Sequence, residues 1–120
     1  VLFNIIWSLE NMTQLATGNQ GTQPFSDTTA QLALAVDTNL TYTVPGDPSQ
    51  KYRAEFKFPS SSNVWVGYNV AATQPAAGTI TNTSNIELNP TLKFVKGGDV
   101  LSFRSHVIVT DAGLSLLRLL

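Results

Sequence analysis

Cysteine is absent from this chain, histidine occurs once and methionine once. Without thiols there is no disulfide framework, no thiolate metal centre and no sulfur nucleophile. A single imidazole, His106, cannot build a multi-histidine metal site. Charge is also scarce. Acidic and basic side chains make up 12% of the 120 residues, with a net charge of −1, whereas about 25% is usual for a soluble domain. Lysines and arginines stand singly, so there is no cation cluster to displace counterions from phosphates, and direct nucleic-acid binding is not expected. The apolar opening VLFNIIWSLENM has no preceding basic region, is interrupted at Glu10 and is too short to span a bilayer, so neither a signal peptide nor a membrane segment is expected.

In place of charge the chain carries Thr, Ser, Asn and Gln. Thr suits a pleated surface because its branched side chain packs well there. Uncharged surfaces also suit subunit contacts, whose centres are depleted of charge.

The chain divides into an N-terminal arm or helix over 1–22 and a β domain over 23–120. In the arm, Leu2, Ile5, Leu9, Met12 and Ala16 recur at helical spacing, with Ile6 widening the stripe. Thr17-Gly18-Asn19-Gln20-Gly21 ends that pattern. The β-prone FNIIW leaves a strand open as the alternative. Phe3, Ile6, Trp7 and Leu9 are the arm residues expected to fill pockets on a partner; packing on its own domain is the plainer alternative.

From Thr28 the period changes to two. TTAQLALAV alternates about Leu32, Leu34 and Val36, and TNLTYTV about Leu40, Tyr42 and Val44. KYRAEFKF is the cleanest case: Tyr52, Ala54, Phe56 and Phe58 share one face, while Lys51, Arg53, Glu55 and Lys57 share the other. That pattern predicts a strand with one face in the core and one in water. In NVWVGYNVA the valines and Tyr68 take one face and Trp65 the other, which implies a second packed layer or an interface. ITNTSNIEL is weaker. LKFVKGGDVLSFRS reads as a hairpin about Gly97-Gly98-Asp99. HVIVT continues or bends away from it, and after Asp111-Ala112-Gly113 comes LSLLRLL. That last run is apolar on both faces except at Ser115 and Arg118, as in a central strand or an oligomer interface. About eight short strands at this spacing predict an all-β, antiparallel, jelly-roll-like sandwich.

Catalytic chemistry finds little support in the residues. No nucleophile elbow places a serine, and most acids stand beside turn residues, Asp47 in PGDPS and Asp99 in GGDV among them. His106 is expected at a surface or a subunit contact. Neither catalytic nor cofactor nor metal residues are assigned, and no enzyme is expected. The triplets at Asn11, Asn39 and Asn82 match the glycosylation pattern, as composition alone would produce in a chain rich in Asn and Thr.

KYRAEFKFPSSSNVWVGYNVAATQPAAGT, followed by LKFVKGGDVLSFRS and the closing GLSLLRLL, resembles small virion structural proteins of tailed bacteriophages, the decoration, cement or head-fibre type attached outside the capsid. FVKGGDVLSF is also similar to the strand–turn–strand of trimeric jelly-roll modules, among them phage-fibre heads and tumour-necrosis-factor-like domains. The resemblance spans roughly Tyr52 to Leu120 and excludes the arm. It implies a homo-oligomer, a trimer by preference, with no catalysis. It also implies contacts with the major capsid protein or another virion protein on the capsid exterior, without direct nucleic-acid or membrane contact. Trp65, Leu117 and Leu119 are the residues expected to pack between subunits. A carbohydrate-binding sandwich for receptor attachment is the alternative; it predicts Trp65 or Tyr68 exposed beside Asn and Asp loops.

Overall fold

The computed structural model describes residues 25–80 and 84–119; the arm residues Phe3, Ile6, Trp7 and Leu9 lie outside them. The described residues form eight strands: β1 (Thr28–Leu34), β2 (Leu40–Thr43), β3 (Lys51–Lys57), β4 (Val64–Tyr68), β5 (Ile86–Leu88), β6 (Leu92–Lys96), β7 (Val100–Ser105) and β8 (Val109–Leu119). Two four-stranded sheets result, sheet A in the order β1-β8-β3-β6 and sheet B in the order β2-β7-β4-β5. Every pairing is antiparallel.

The order follows from one long hairpin rolled upon itself. Paired from the outside inward, β1 meets β8, β2 meets β7, β3 meets β6 and β4 meets β5. Successive pairs fall alternately into sheets A and B. Rolling adds the β3–β8 and β4–β7 pairings that close each sheet. This is jelly-roll winding, and the chain is an antiparallel β-sandwich.

The period-two patterns decide which side chains enter the sandwich. Sheet A contributes Leu32, Leu34, Tyr52, Ala54, Phe56, Val95, Ala112, Leu114 and Leu116; sheet B contributes Val64, Val66, Leu101 and Phe103. The Phe56 and Phe103 rings meet across the layers at 6.2 Å with a tilt of 54°, a geometry aromatic pairs favour. Val36 and Val70, which the alternation would place with the core, lie beyond the ends of β1 and β4 and are exposed.

One expectation is corrected. Gly97-Gly98-Asp99 does not close a hairpin: β6 pairs with β3 in sheet A, and β7 with β2 and β4 in sheet B, so the turn carries the chain between layers. At this turn Gly97 lies against the backbone of the turn after β2. A Cβ there would stand 2.3 Å from the Asp47 carbonyl oxygen. Asp111-Ala112-Gly113 lies within the last strand. β8 runs through it because Gly113 is held extended between Gln31 of β1 and Lys57 of β3.

Residues 114–119 are thus the end of a central strand. Its inner face supplies Leu114 and Leu116, fully buried, and its outer face carries Leu117 and Leu119, half-buried.

Candidate functional site

Three places outside the core hold polar or apolar groups in arrangements that bear on function. The first is the end of the sandwich where the β6–β7 turn crosses between sheets. Asp99, only 4% exposed, accepts hydrogen bonds from the Tyr68 hydroxyl at 2.7 Å, the Lys96 N–H at 2.9 Å, the Lys96 ammonium at 3.1 Å and the Asn69 amide at 3.3 Å. Burial pushes its carboxyl up, but these donors together outweigh burial and hold it below the ordinary carboxylate range. The same carboxylate raises the Tyr68 hydroxyl and the Lys96 ammonium. Asp99 joins β4, β6 and β7, so its role is to fasten the layers. The sequence reading of Asp99 as a turn residue holds, but the buried network around it has no local signal in GGDV.

The second place is the outer face of sheet A. Across β8, β3 and β6 the register sets Leu117 beside Arg53 and Arg53 beside Phe94, with Leu119 beside Lys51 and Leu92 beside Glu55. Phe94 is 67% exposed and Leu92 42%. The Arg53 side chain lies among them with its Nε shielded from solvent and without a hydrogen-bond partner among the described residues. Its terminal nitrogen approaches Glu55 at 3.8 Å, and such an exposed pair contributes little. Leu117 and Leu119 on β8 therefore flank the charged row Lys51, Arg53 and Glu55 of β3 on one side, and Leu92 and Phe94 on β6 flank it on the other, two residues that the reading of the sequence did not single out. Alternation in LKFVK would have placed Phe94 opposite the buried Val95, but only the β3 pairing shows what it adjoins.

The third place is the outer face of sheet B. Trp65 is half-buried there, between Arg104 on β7 and Leu88 on β5. It is neither enclosed between the layers nor fully open beside polar loops. Next to it on the same face, the chain after β4 folds back over its own sheet. The Ala72 N–H donates to the Ser102 hydroxyl at 3.0 Å, and a Cβ on Gly67 would stand 2.4 Å from the Val70 carbonyl oxygen. Only glycine lets the two backbones approach so closely. We expect Gly67→Ala to lower stability by about 2 kcal/mol through overpacking, measured as a reduced urea midpoint. An unchanged midpoint would show that the fold-back is not held there.

Between this fold-back and the β1–β2 connection runs a groove of about 590 Å³, lined by Ala71–Ala77 on one side and by Asp37, Asn39, Arg104 and His106 on the other. An Arg104 terminal nitrogen donates to the Asn39 Oδ1 at 3.3 Å. His106 Nδ1 lies 3.2 Å from the Asp37 Oδ1. His106 is exposed, as expected for a surface residue, and Ser105 beside it is buried on the opposite face. Among the described residues no group of three or more metal-ligating side chains converges.

A scan against protein-family models finds no match, and searches of curated proteins and of solved structures find none either.

Proposed function

We propose that this chain is a structural protein of a bacteriophage particle, a decoration, cement or fibre component on the capsid exterior that acts through contacts between copies and with another virion protein. The observation that carries the reading is the outer face of sheet A. Leu117 and Leu119 on β8 and Leu92 and Phe94 on β6 form an apolar strip on either side of the charged β3 row Lys51, Arg53 and Glu55, in which the Arg53 Nε has no partner among the described residues. Phenylalanine and arginine are both enriched at interfaces, and arginine at their hot spots. A second copy laid on this face removes the strip from water and supplies acceptors to Arg53, Glu55 being the acid on the same face.

The jelly-roll winding supports the reading because it is a frequent architecture of capsid modules. The low charge also supports it, since interface centres are depleted of charged residues. The resemblance of Tyr52–Leu120 to phage decoration and head-fibre proteins gives the trimer as the preferred assembly. The capsid protein, or another virion protein, is the partner beyond the homo-oligomer.

Phe94 is the residue to alter, because it stands largely in solvent on an edge strand and its loss leaves the core intact. We expect Phe94→Asp to weaken self-association by about a hundredfold or more, since burying one aromatic at an interface contributes about 2–4 kcal/mol. The far-ultraviolet circular dichroism and the urea midpoint should stay as in the unaltered chain. Association unchanged by Phe94→Asp would remove this face from the interface.

A further inference from the structure

We propose that the groove on the outer face of sheet B is a binding site for a saccharide bearing a single carboxylate. The proposal is independent of the sheet A face and would stand if the chain proved monomeric. It begins from Arg104. Among the described residues this guanidinium has no carboxylate within ion-pair distance; its one polar partner is the neutral Asn39 Oδ1. That hydrogen bond holds the guanidinium at the groove wall with its other donors unspent, and a guanidinium fork matches the geometry of a carboxylate.

The charge count selects one anionic group rather than many. Asp37 lines the same groove, and its carboxylate is turned to His106. A polyanion would meet that acid, whereas a ligand with one carboxylate can face Arg104 and leave Asp37 to accept from hydroxyls. Asp37 is also fixed in position. Its backbone is left-handed, at φ 48°, an uncommon conformation for a residue other than glycine. Its N–H donates to the Ser105 carbonyl oxygen at 2.8 Å, which ties the loop to the end of β7.

The remaining surfaces suit a sugar ring. Asn39 and Gln74 are planar amides with both donors and acceptors, able to pair with adjacent hydroxyls. The fold-back wall that carries Gln74 is otherwise made of Thr73, Pro75 and four alanines, so a flat ring can lie close to it. Trp65, paired with Arg104 in the same face of the sheet, lies outside the lining of the groove. No local pattern in the sequence joins these residues; Asn39 and Arg104 are 65 positions apart and Asp37 and His106 are 69 apart.

The test is a nuclear-magnetic-resonance titration of the full chain with methyl glucuronide, methyl galacturonide and methyl sialoside. Each is compared with its uncharged counterpart, and sodium acetate serves as the plain anion. The expected result is that at least one acidic glycoside binds at about millimolar concentration, as single sugars commonly do at an open site. It should shift the amides of residues 37–39, 71–77 and 104–106, while its neutral counterpart and acetate bind at least about tenfold more weakly. Arg104→Gln should abolish that preference for the acid, while Arg53→Gln on the other sheet should leave it unchanged. No binding by any acidic glycoside overturns the proposal. So does equal binding of the neutral glycosides or of acetate, or binding that survives Arg104→Gln.

Discussion

Phe103→Ala should cost about 4 kcal/mol of folding stability, the largest effect expected of any single truncation among the described residues. Phe103 is fully buried and is the largest such side chain. It stands on β7, a central strand of sheet B, with Leu40 opposite on one side and Val66 on the other. Its ring reaches across to Phe56 of sheet A, so removing it opens a void between the layers rather than at their margin. Neither sheet can close that void, because each is held in register by strands on both sides. Against a total stability of about 5–15 kcal/mol for a domain of this size, such a loss brings the chain near unfolding. Urea denaturation should show a much lower midpoint with an unchanged slope. Phe103→Leu, which keeps most of the volume, should cost about 1 kcal/mol. Equal losses for both variants would mean that the position is sensitive to shape alone and not to the cavity.

The second large effect is expected at Asp99. Its replacement by alanine removes one acceptor from four donors and leaves the Tyr68 hydroxyl and Asn69 amide to find other partners in a part-buried corner. Hydrogen bonds to a charged group contribute about 1.5–3 kcal/mol each in favourable cases, not additively, and we expect a loss of about 3 kcal/mol. The turn that carries the chain between sheets loosens with it, since the Asp99 backbone also joins β2: its carbonyl oxygen accepts from the Val44 N–H at 2.8 Å.

The same network sets a pH dependence with a definite sign. The Asp99 carboxyl is lower in the fold than in the unfolded chain. Its contribution is therefore complete above the unfolded value, about 3.9, and is lost as the pH falls through the lower folded value. Tyr68 and Lys96 are raised by the same carboxylate, so their contributions are present below their unfolded values, about 10, and fade as the pH rises through the higher folded ones. Stability should thus form a plateau through neutrality with losses at both extremes. Asp99→Asn should flatten the acid side in a urea series run from pH 2 to 6. A variant that keeps the full acid dependence would assign it to other carboxylates.

The strands were legible in the sequence where polarity and period coincide. Lys51–Lys57 shows this best, because charge on every second residue leaves no ambiguity about which face meets water. Their arrangement was not legible. β1 finds β8 and β2 finds β7 across most of the chain, and no local pattern encodes those pairings. Where a local pattern did suggest a pairing, at Gly97-Gly98-Asp99, it misled: two glycines serve an inter-sheet turn as readily as a hairpin, and the contact made there, Gly97 against Asp47, joins distant segments. Gly113, paired on both sides within β8, shows that a glycine in a strand needs no turn.

The surfaces show the same division. Alternation placed Trp65 away from the valine face and Leu117 and Leu119 away from Leu114 and Leu116, and the structure keeps those sides. What each outward residue adjoins depended on register: Phe94 and Arg53 beside Leu117, Arg104 beside Trp65. Arg104 was within reach of the same reasoning, because LSFRS alternates it against Phe103. Its partner Asn39 was not, for it arrives on a separate loop.

Function here is proposed to lie in contact between copies, and sedimentation equilibrium of the unaltered full chain at micromolar concentration tests that most directly. The expected result is a single associated species, three chains by preference, that shifts toward one chain on dilution and on Phe94→Asp. A species of one chain's mass, 12.9 kDa, monodisperse across the concentration range, would contradict it.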